Sequence, residues 1–258
     1  MLNPEYNRPE EAVEGQDSIR TLDITPRFNP FPGLRPFIFD ECHLFFGREG
    51  QVDELLLKLA ENRFVSIMGY SGSGKSSLVY CGLIPILYGG FITHSGPYWN
   101  IITTRPGAEP IDNLAESLLK VDPEYNQVTA EELLVNKRIT SSLLRSGPEG
   151  LVDAVHRVEQ RHSQNTLIVI DQFEELFRIK NKNGDFDLEE AKFYVNLILQ
   201  ACRSADTPVH AVITMRSDHI GECAKFPGLT QIINTSNYLV PKMSRDQKRM
   251  AIEGPVAV

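Results

Sequence analysis

"GYSGSGKSS", residues 69–77, follows directly on the apolar run Phe64-Val65-Ser66-Ile67-Met68. A buried strand that runs into a turn of glycines and serines closed by one lysine has few uses. The stretch fits G-x-x-x-x-G-K-[ST], with Gly69, Gly74, Lys75 and Ser76 at the defining positions. Glycines let the backbone fold into a concave nest whose N–H groups point at one anion. A helix opening near Gly74 adds the positive end of its dipole. The pattern makes Gly69, Tyr70, Ser71, Gly72, Ser73, Gly74, Lys75, Ser76 and Ser77 the candidate cradle of a nucleoside triphosphate. Lys75 is expected to reach the β- and γ-phosphates, and the Ser76 hydroxyl to complete a magnesium shell. Chance alone produces such a match in roughly one chain in a hundred of this length. The strand before it and the helix after it are the context the motif demands.

Outward from this loop, the composition is that of an ordinary globular chain. It has 258 residues, 41% hydrophobic and 23% charged. With 26 Lys and Arg against 34 Asp and Glu the net charge is −8, which argues against a broad nucleic-acid-binding face. No direct nucleic-acid partner is expected. Cys42, Cys81, Cys202 and Cys223 form no C-x-x-C pair, which favours reduced thiols and a cytoplasmic protein. The N-terminus lacks a basic-then-apolar signal pattern. Residues 76–93 are uncharged, but Gly82, Pro85, Gly89 and Gly90 interrupt them, so a core helix is expected and no membrane segment.

Residues 1–28 are polar and acidic and read as a flexible arm; 29–258 read as one domain. "NPFPGLRPF" (29–37) is expected to be extended and docked, burying Phe31, Leu34 and Phe37. Val52, Leu55, Leu56 and Leu59 recur at helical spacing, predicting a helix over about 48–61. Strands are predicted near 63–68, over Trp99–Thr104, at 166–171 ("TLIVID"), at 209–215 ("VHAVITM") and, shorter, within "YLVPKM". Helices are predicted to about 88 after the phosphate loop and near 110–120, 129–145, 149–162 and 187–203. Ser244 with Gln247 reads as a capping box opening a last helix, which Gly254-Pro255 should end. Strands alternating with helices imply a three-layer α/β fold, a mostly parallel sheet flanked by helices. Because Trp99–Thr104 falls between the phosphate loop and "TLIVID", an extra strand inserted between those two is expected. That is the additional-strand order of ATPases, not that of small GTPases.

Asp171, at the carboxyl end of "TLIVID", is the expected magnesium carboxylate. Many P-loop ATPases place a glutamate next; here Gln172 stands there, which can orient water but cannot take its proton. The nearby carboxylates are Glu174 and Glu175, with Glu174 preferred as the hydrolytic base. Arg216, at the end of "VHAVITM", is the expected sensor of the γ-phosphate; the alternative is a salt bridge to Asp218 or a nearby glutamate. "NKNG" at 181 lacks the aspartate of the guanine-reading N-K-x-D motif, so adenine is favoured.

Five blocks in order, "NPFPGLRPF…HLFFGRE", "GYSGSGKSSL", "LIVIDQFEELF", "VITMRSDHIGEC" and "MSRDQKRMAIEGPV", resemble the novel STAND group of P-loop NTPases, signal transduction ATPases with numerous domains. The resemblance runs from about Asn29 to the C-terminus. It implies that Phe46-Gly47-Arg48 lies against adenine and ribose, that Asp171 is the magnesium aspartate, that Glu174 serves hydrolysis, and that Arg216 is the arginine sensor. It also implies ATP/ADP and Mg2+ as cofactors and nucleotide-dependent self-association of a larger protein, whose lid and sensor regions are expected to be absent here. His219 departs from the usual aromatic apolar residue. The function expected is a slow regulatory ATPase. A nucleotide-binding scaffold with negligible turnover is the alternative, and a small-molecule kinase or nucleic-acid translocase is disfavoured, since no acceptor pocket, closing lid or basic channel is legible.

Overall fold

In the computed structural model, which describes residues 29–91, 96–122, 125–158 and 165–258, five runs rich in apolar residues form one parallel sheet. They are β1 (Phe64–Gly69), β2 (Trp99–Thr104), β3 (Asn165–Ile170), β4 (Val209–Arg216) and β5 (Asn237–Leu239), in spatial order β2-β3-β4-β1-β5. The 1–28 arm and the end of the helix predicted over 149–162 lie outside the described residues.

Period-two alternation divides the strands between two cores. Phe64 and Met68 of β1, Ile168 and Ile170 of β3, and Ile213 of β4 face one. There they meet α4 (Pro110–Leu119), α6 (Gly150–Val158), α7 (Leu188–Arg203) and α8 (Pro227–Thr235). Val65, Ile67, Leu167 and Val169 face the other core. That layer holds α1 (Glu49–Asn62) and the helical run after the phosphate loop: α2 (Lys75–Ser77), a π-helical turn Leu78–Leu83, and α3 (Ile84–Tyr88). Helix α5 (Ala130–Leu144) packs outside α4, opened by a capping box in which Thr129 accepts from the Glu132 amide. Apolar residues on both faces of the central strands put the sheet in the middle of three layers.

A strand does separate β1 from β3, but it is β4; Trp99–Thr104 takes the far edge as β2, beside β3. Chain order alone could not fix that, because a parallel crossover can skip a neighbour.

Two other expectations are corrected. In the 29–37 stretch Leu34 is fully exposed and Phe31 is 41% exposed. Docking begins only at Phe37, whose N–H donates to Ser77 Oγ at 3.1 Å and whose ring meets Phe45 edge-on. Arg35 holds the preceding turn through a fork on Glu41, at 2.7 and 2.5 Å, so that turn needs no apolar anchor. At the other end, Gly254-Pro255 does not stop the last helix: α9 runs Arg245–Ala257 with Pro255 in its final turn. Gly254 is there for packing, since a Cβ would lie 2.6–3.0 Å from the Phe46 ring. Proline that late removes one amide bond from a turn that is ending anyway.

Candidate functional site

Parallel strands deliver their carboxyl ends to one rim, and the motif residues meet there. After β1 the chain turns through Gly72 (φ +74) and Gly74 (φ +89), left-handed backbone that favours glycine. The first amides of α2 have no acceptor within the helix, as at any helix start, and a helix start suits an anion. Lys75 lies back over this loop, its Nζ donating to Gly69 O at 3.0 Å and Tyr70 O at 2.9 Å. Burial pulls its ammonium below the usual lysine range, against the opposing pull of Glu174 and Asp171. Tyr70 is exposed; the Ser73 hydroxyl is buried with no partner among the described residues.

Asp171 follows β3 and is fully buried. Its Oδ1 accepts from Ser76 Oγ at 2.6 Å and from Thr214 Oγ1 at 2.7 Å, and its Oδ2 from Arg105 Nη2 at 2.8 Å. The phosphate loop and the acidic strand end, 95 residues apart, are therefore joined directly. Gln172 adopts a left-handed backbone (φ 59, ψ 48) and donates its N–H to Thr214 Oγ1 at 3.0 Å. A non-glycine residue in that region costs about 1–3 kcal/mol unless its surroundings hold it, and Thr214 supplies a hold.

The two glutamates differ. Glu174 is buried, and its Oε2 has no hydrogen-bond partner among the described residues. Glu175 Oε2 accepts the Gly107 N–H at 3.0 Å. Arg216 pairs with Gly69 in register, beside the loop, but its guanidinium holds Asp218 at 3.0 and 2.6 Å on the surface. That is the salt-bridge alternative for this residue.

Phe46, Gly47 and Arg48 are drawn toward the C-terminal helix and the loop. Phe46 sits against Gly254, and a Cβ on Gly47 would lie 2.5 Å from Gln247 O. Arg48, 8% exposed, donates to Gln51 Oε1 (2.8 Å), Pro241 O (2.9 Å) and Ser73 O (3.0 Å), so it ties the phosphate loop to the segment after β5. The Ser77 hydroxyl accepts from Phe37, as above, on the side of the 35–47 segment.

Arg105 and Thr214 escaped sequence reasoning. The signal for Arg105 was a charge at a strand end before Pro106-Gly107; for Thr214 it was a polar residue among the apolar ones of β4.

A central parallel sheet with a glycine-rich loop after β1, and with an aspartate after β3 bonded to the loop serine, defines a P-loop NTPase. More narrowly, the model of the family Novel STAND NTPase 1 matches residues 30–258, and the chain belongs to that family. It is a nucleotide-binding NTPase domain. Among solved structures it is similar to the Aeropyrum pernix ORC1 protein in complex with DNA, at 14% identity and TM-score 0.47, over 83% of this chain and 50% of that one. It is likewise similar to the Walker-type ATPase PABY2304 of Pyrococcus abyssi, at 14% identity and TM-score 0.47, over 85% of this chain and 60% of that one. The chain thus spans half to three-fifths of the length of those relatives. No curated protein matches the sequence. Among the described residues no helix is long and apolar enough to cross a membrane.

Proposed function

We propose that this domain is a slow ATPase that works as a regulatory switch, its shape set by whether ATP or ADP is held. The reading rests above all on the Ser76–Asp171 hydrogen bond, which brings the two halves of a phosphate-and-metal site together. A magnesium ion fits the donor set. A serine hydroxyl and a buried carboxylate are hard oxygen ligands, and among the described residues no group of three His, Cys, Asp or Glu side chains offers a competing cage. Ser76 and Asp171 would hold it, and when bound it supplies charge neutralisation on the phosphate oxygens.

The chain's own residues then have distinct tasks. Lys75 exchanges the Gly69 and Tyr70 carbonyls for β- and γ-phosphate oxygens. The nest amides bind the same anion. Glu174, with a buried free oxygen, orients the attacking water and takes its proton; Glu175 is engaged in holding the 105–107 turn. Arg216 reaches the γ-phosphate by leaving Asp218, and so reports its presence. Adenine is favoured because Asn181–Gly184 closes a tight surface turn, with Gly184 N–H on Asn181 O, and carries no guanine-reading aspartate. Slowness follows from Gln172, which puts no base directly after Asp171. A cytoplasmic protein that self-associates according to its nucleotide, with no direct nucleic-acid partner, fits the charge of −8 and the family.

The test is steady-state phosphate release by the purified chain, with Lys75→Ala as the blank. Turnover well below the median enzyme value of about 10 per second is expected, together with measurable ATP binding that Lys75→Ala removes. Fast turnover independent of protein concentration would instead indicate a metabolic enzyme, and unchanged ATP affinity in Lys75→Ala would end the phosphate-loop assignment.

A further inference from the structure

Asp171 already has its full set of partners, and one of them is a cation. A fully buried carboxylate needs donors on both oxygens or a compensating charge. Oδ1 takes two hydroxyl hydrogens, from Ser76 and Thr214. Oδ2 takes the Arg105 guanidinium at 2.8 Å. The pairing follows from topology. Thr104 and Ile170 are opposite each other in the parallel β2–β3 ladder, so the residues that leave the two strands emerge side by side. The backbone there is fixed from two directions: Glu175 accepts the Gly107 N–H, and Asn113 Nδ2 donates to Pro106 O at 2.9 Å.

The side chain is not fixed in the same way. While Asp171 is 1% exposed, Arg105 is 50% exposed, and it borders a cavity of about 380 Å³ across the end of β2. Tyr80, Thr104, Asn113, Glu116 and Lys120 also line it. The buried Thr104 Oγ1 has no hydrogen-bond partner among the described residues. Glu116 carries a carboxylate there, held by Lys120 at 2.7 Å and Lys137 at 3.0 Å. An arginine anchored at its backbone thus has two acceptor environments within one side chain's reach.

We propose that Arg105 is a resident counter-cation, which neutralises Asp171 in the metal-free site and swings into the adjoining cavity when the carboxylate serves a divalent metal. The inference rests on Asp171 being the metal carboxylate. Oδ2 is the oxygen without a hydroxyl donor, and among the described residues Arg105 is the cation that reaches the carboxylate. A guanidinium and a divalent cation a few ångströms apart repel, so Asp171 serves one or the other at full strength. Metal-bound nucleotide is thereby coupled to the position of Arg105, and through it to β2 and α4.

The test measures ATP affinity by calorimetry across a Mg2+ titration for the wild-type chain, Arg105→Gln and Arg105→Lys. Charged hydrogen bonds of this kind alter equilibria by about tenfold or more, discounted here because Arg105 is half exposed. Arg105→Gln should lower the Mg2+ concentration that half-saturates the tightening of ATP binding by roughly tenfold. It should also weaken metal-free ATP binding several-fold, since Asp171 then confronts the phosphates uncompensated. Arg105→Lys should shift the midpoint in the same direction by less, and it decides the matter if the glutamine variant fails to fold. An unchanged or raised midpoint overturns the proposal. So does an equal loss with and without Mg2+, which would make Arg105 a phosphate ligand. Wild-type ATP binding that ignores Mg2+ would remove Asp171 from the metal, and an absence of ATP binding altogether would remove the nucleotide reading; either takes this inference with it.

Discussion

Thr214→Val tests whether one hydroxyl holds the acidic end of the site together. Thr214 is 1% exposed, and its Oγ1 does two things at once: it donates to Asp171 Oδ1 at 2.7 Å and accepts the Gln172 N–H at 3.0 Å. Valine keeps the branched shape and removes both bonds. A hydrogen bond to a charged group contributes about 1.5–3 kcal/mol, and a buried amide left without a partner costs about 1–3 kcal/mol. Ser76 and Arg105 still hold Asp171, and the two losses share one atom, so they should not add fully. The expected loss is about 2–4 kcal/mol. At roughly 2–4 °C per kcal/mol for a domain of this size, the melting temperature should fall by about 5–15 °C. Urea unfolding followed by circular dichroism measures the loss, with Thr103→Val, at an exposed position on β2, as a control expected within about 0.5 kcal/mol. ATP binding in Mg2+ should weaken more than metal-free binding, because Asp171 loses a fixed orientation. A loss under about 1 kcal/mol, or one matching the control, would refute the claim that Thr214 braces both Asp171 and the left-handed Gln172.

Glu174→Gln should leave ATP binding intact and reduce phosphate release by about 10²–10⁴-fold, whereas Glu175→Gln should mainly loosen the 105–107 turn. If single-turnover assays rank the two the other way, the base is Glu175. His210, buried in β4 against Trp99, has its imidazole pushed down to about 4, chiefly by burial, from an ordinary 6.5. The unfolded chain therefore takes up this proton near pH 6.5 and the folded chain only near 4, so stability should fall as pH drops through that window and level off below it. At about 1.4 kcal/mol per pH unit the share of His210 is at most about 3.5 kcal/mol. The difference in unfolding free energy between wild type and His210→Gln at pH 7 and pH 4 isolates it; no difference would deny the burial effect.

The local features of this fold were legible because each has a short-range cause. The run Leu167–Ile170 is apolar on both faces, as a central strand requires, and Ser244 with Gln247 forms the capping box its spacing announces. What the chain hides is long-range. That β4 and not β2 separates β1 from β3 depends on which crossover packs best over the sheet, and the β4 sequence reads the same in either place. Leu34 reads as core by type, yet the Arg35–Glu41 fork fixes its turn on the surface. Gly254 reads as a stop signal, and only the Phe46 ring against it explains the residue.

The site divides along the same line. Gly69 to Ser76 and Asp171 are legible as candidates from their neighbours in sequence alone. The roles of Arg105, Thr214 and Arg216 depend on which strand ends stand next to each other. In spatial order β2, β3, β4, the residues at those ends are Arg105, Asp171 and Arg216, a cation on either side of an anion. Each cation at the rim already has an acceptor: Arg105 has Asp171, Arg216 has Asp218, and Lys75 has two carbonyls of its own loop. This explains how Arg105, Lys75 and Arg216 share one rim: each is paired within the chain. If the site takes a triphosphate, as proposed, the ligand would not simply add to it. On the function proposed above, its oxygens would displace the Lys75 carbonyls and the Arg216–Asp218 pair, and Asp171 would part with Arg105 to serve a metal. On that proposal, entry of nucleotide and metal would rearrange contacts on β1, β2 and β4 together, and a set of linked exchanges of that kind would have the two end states a switch requires.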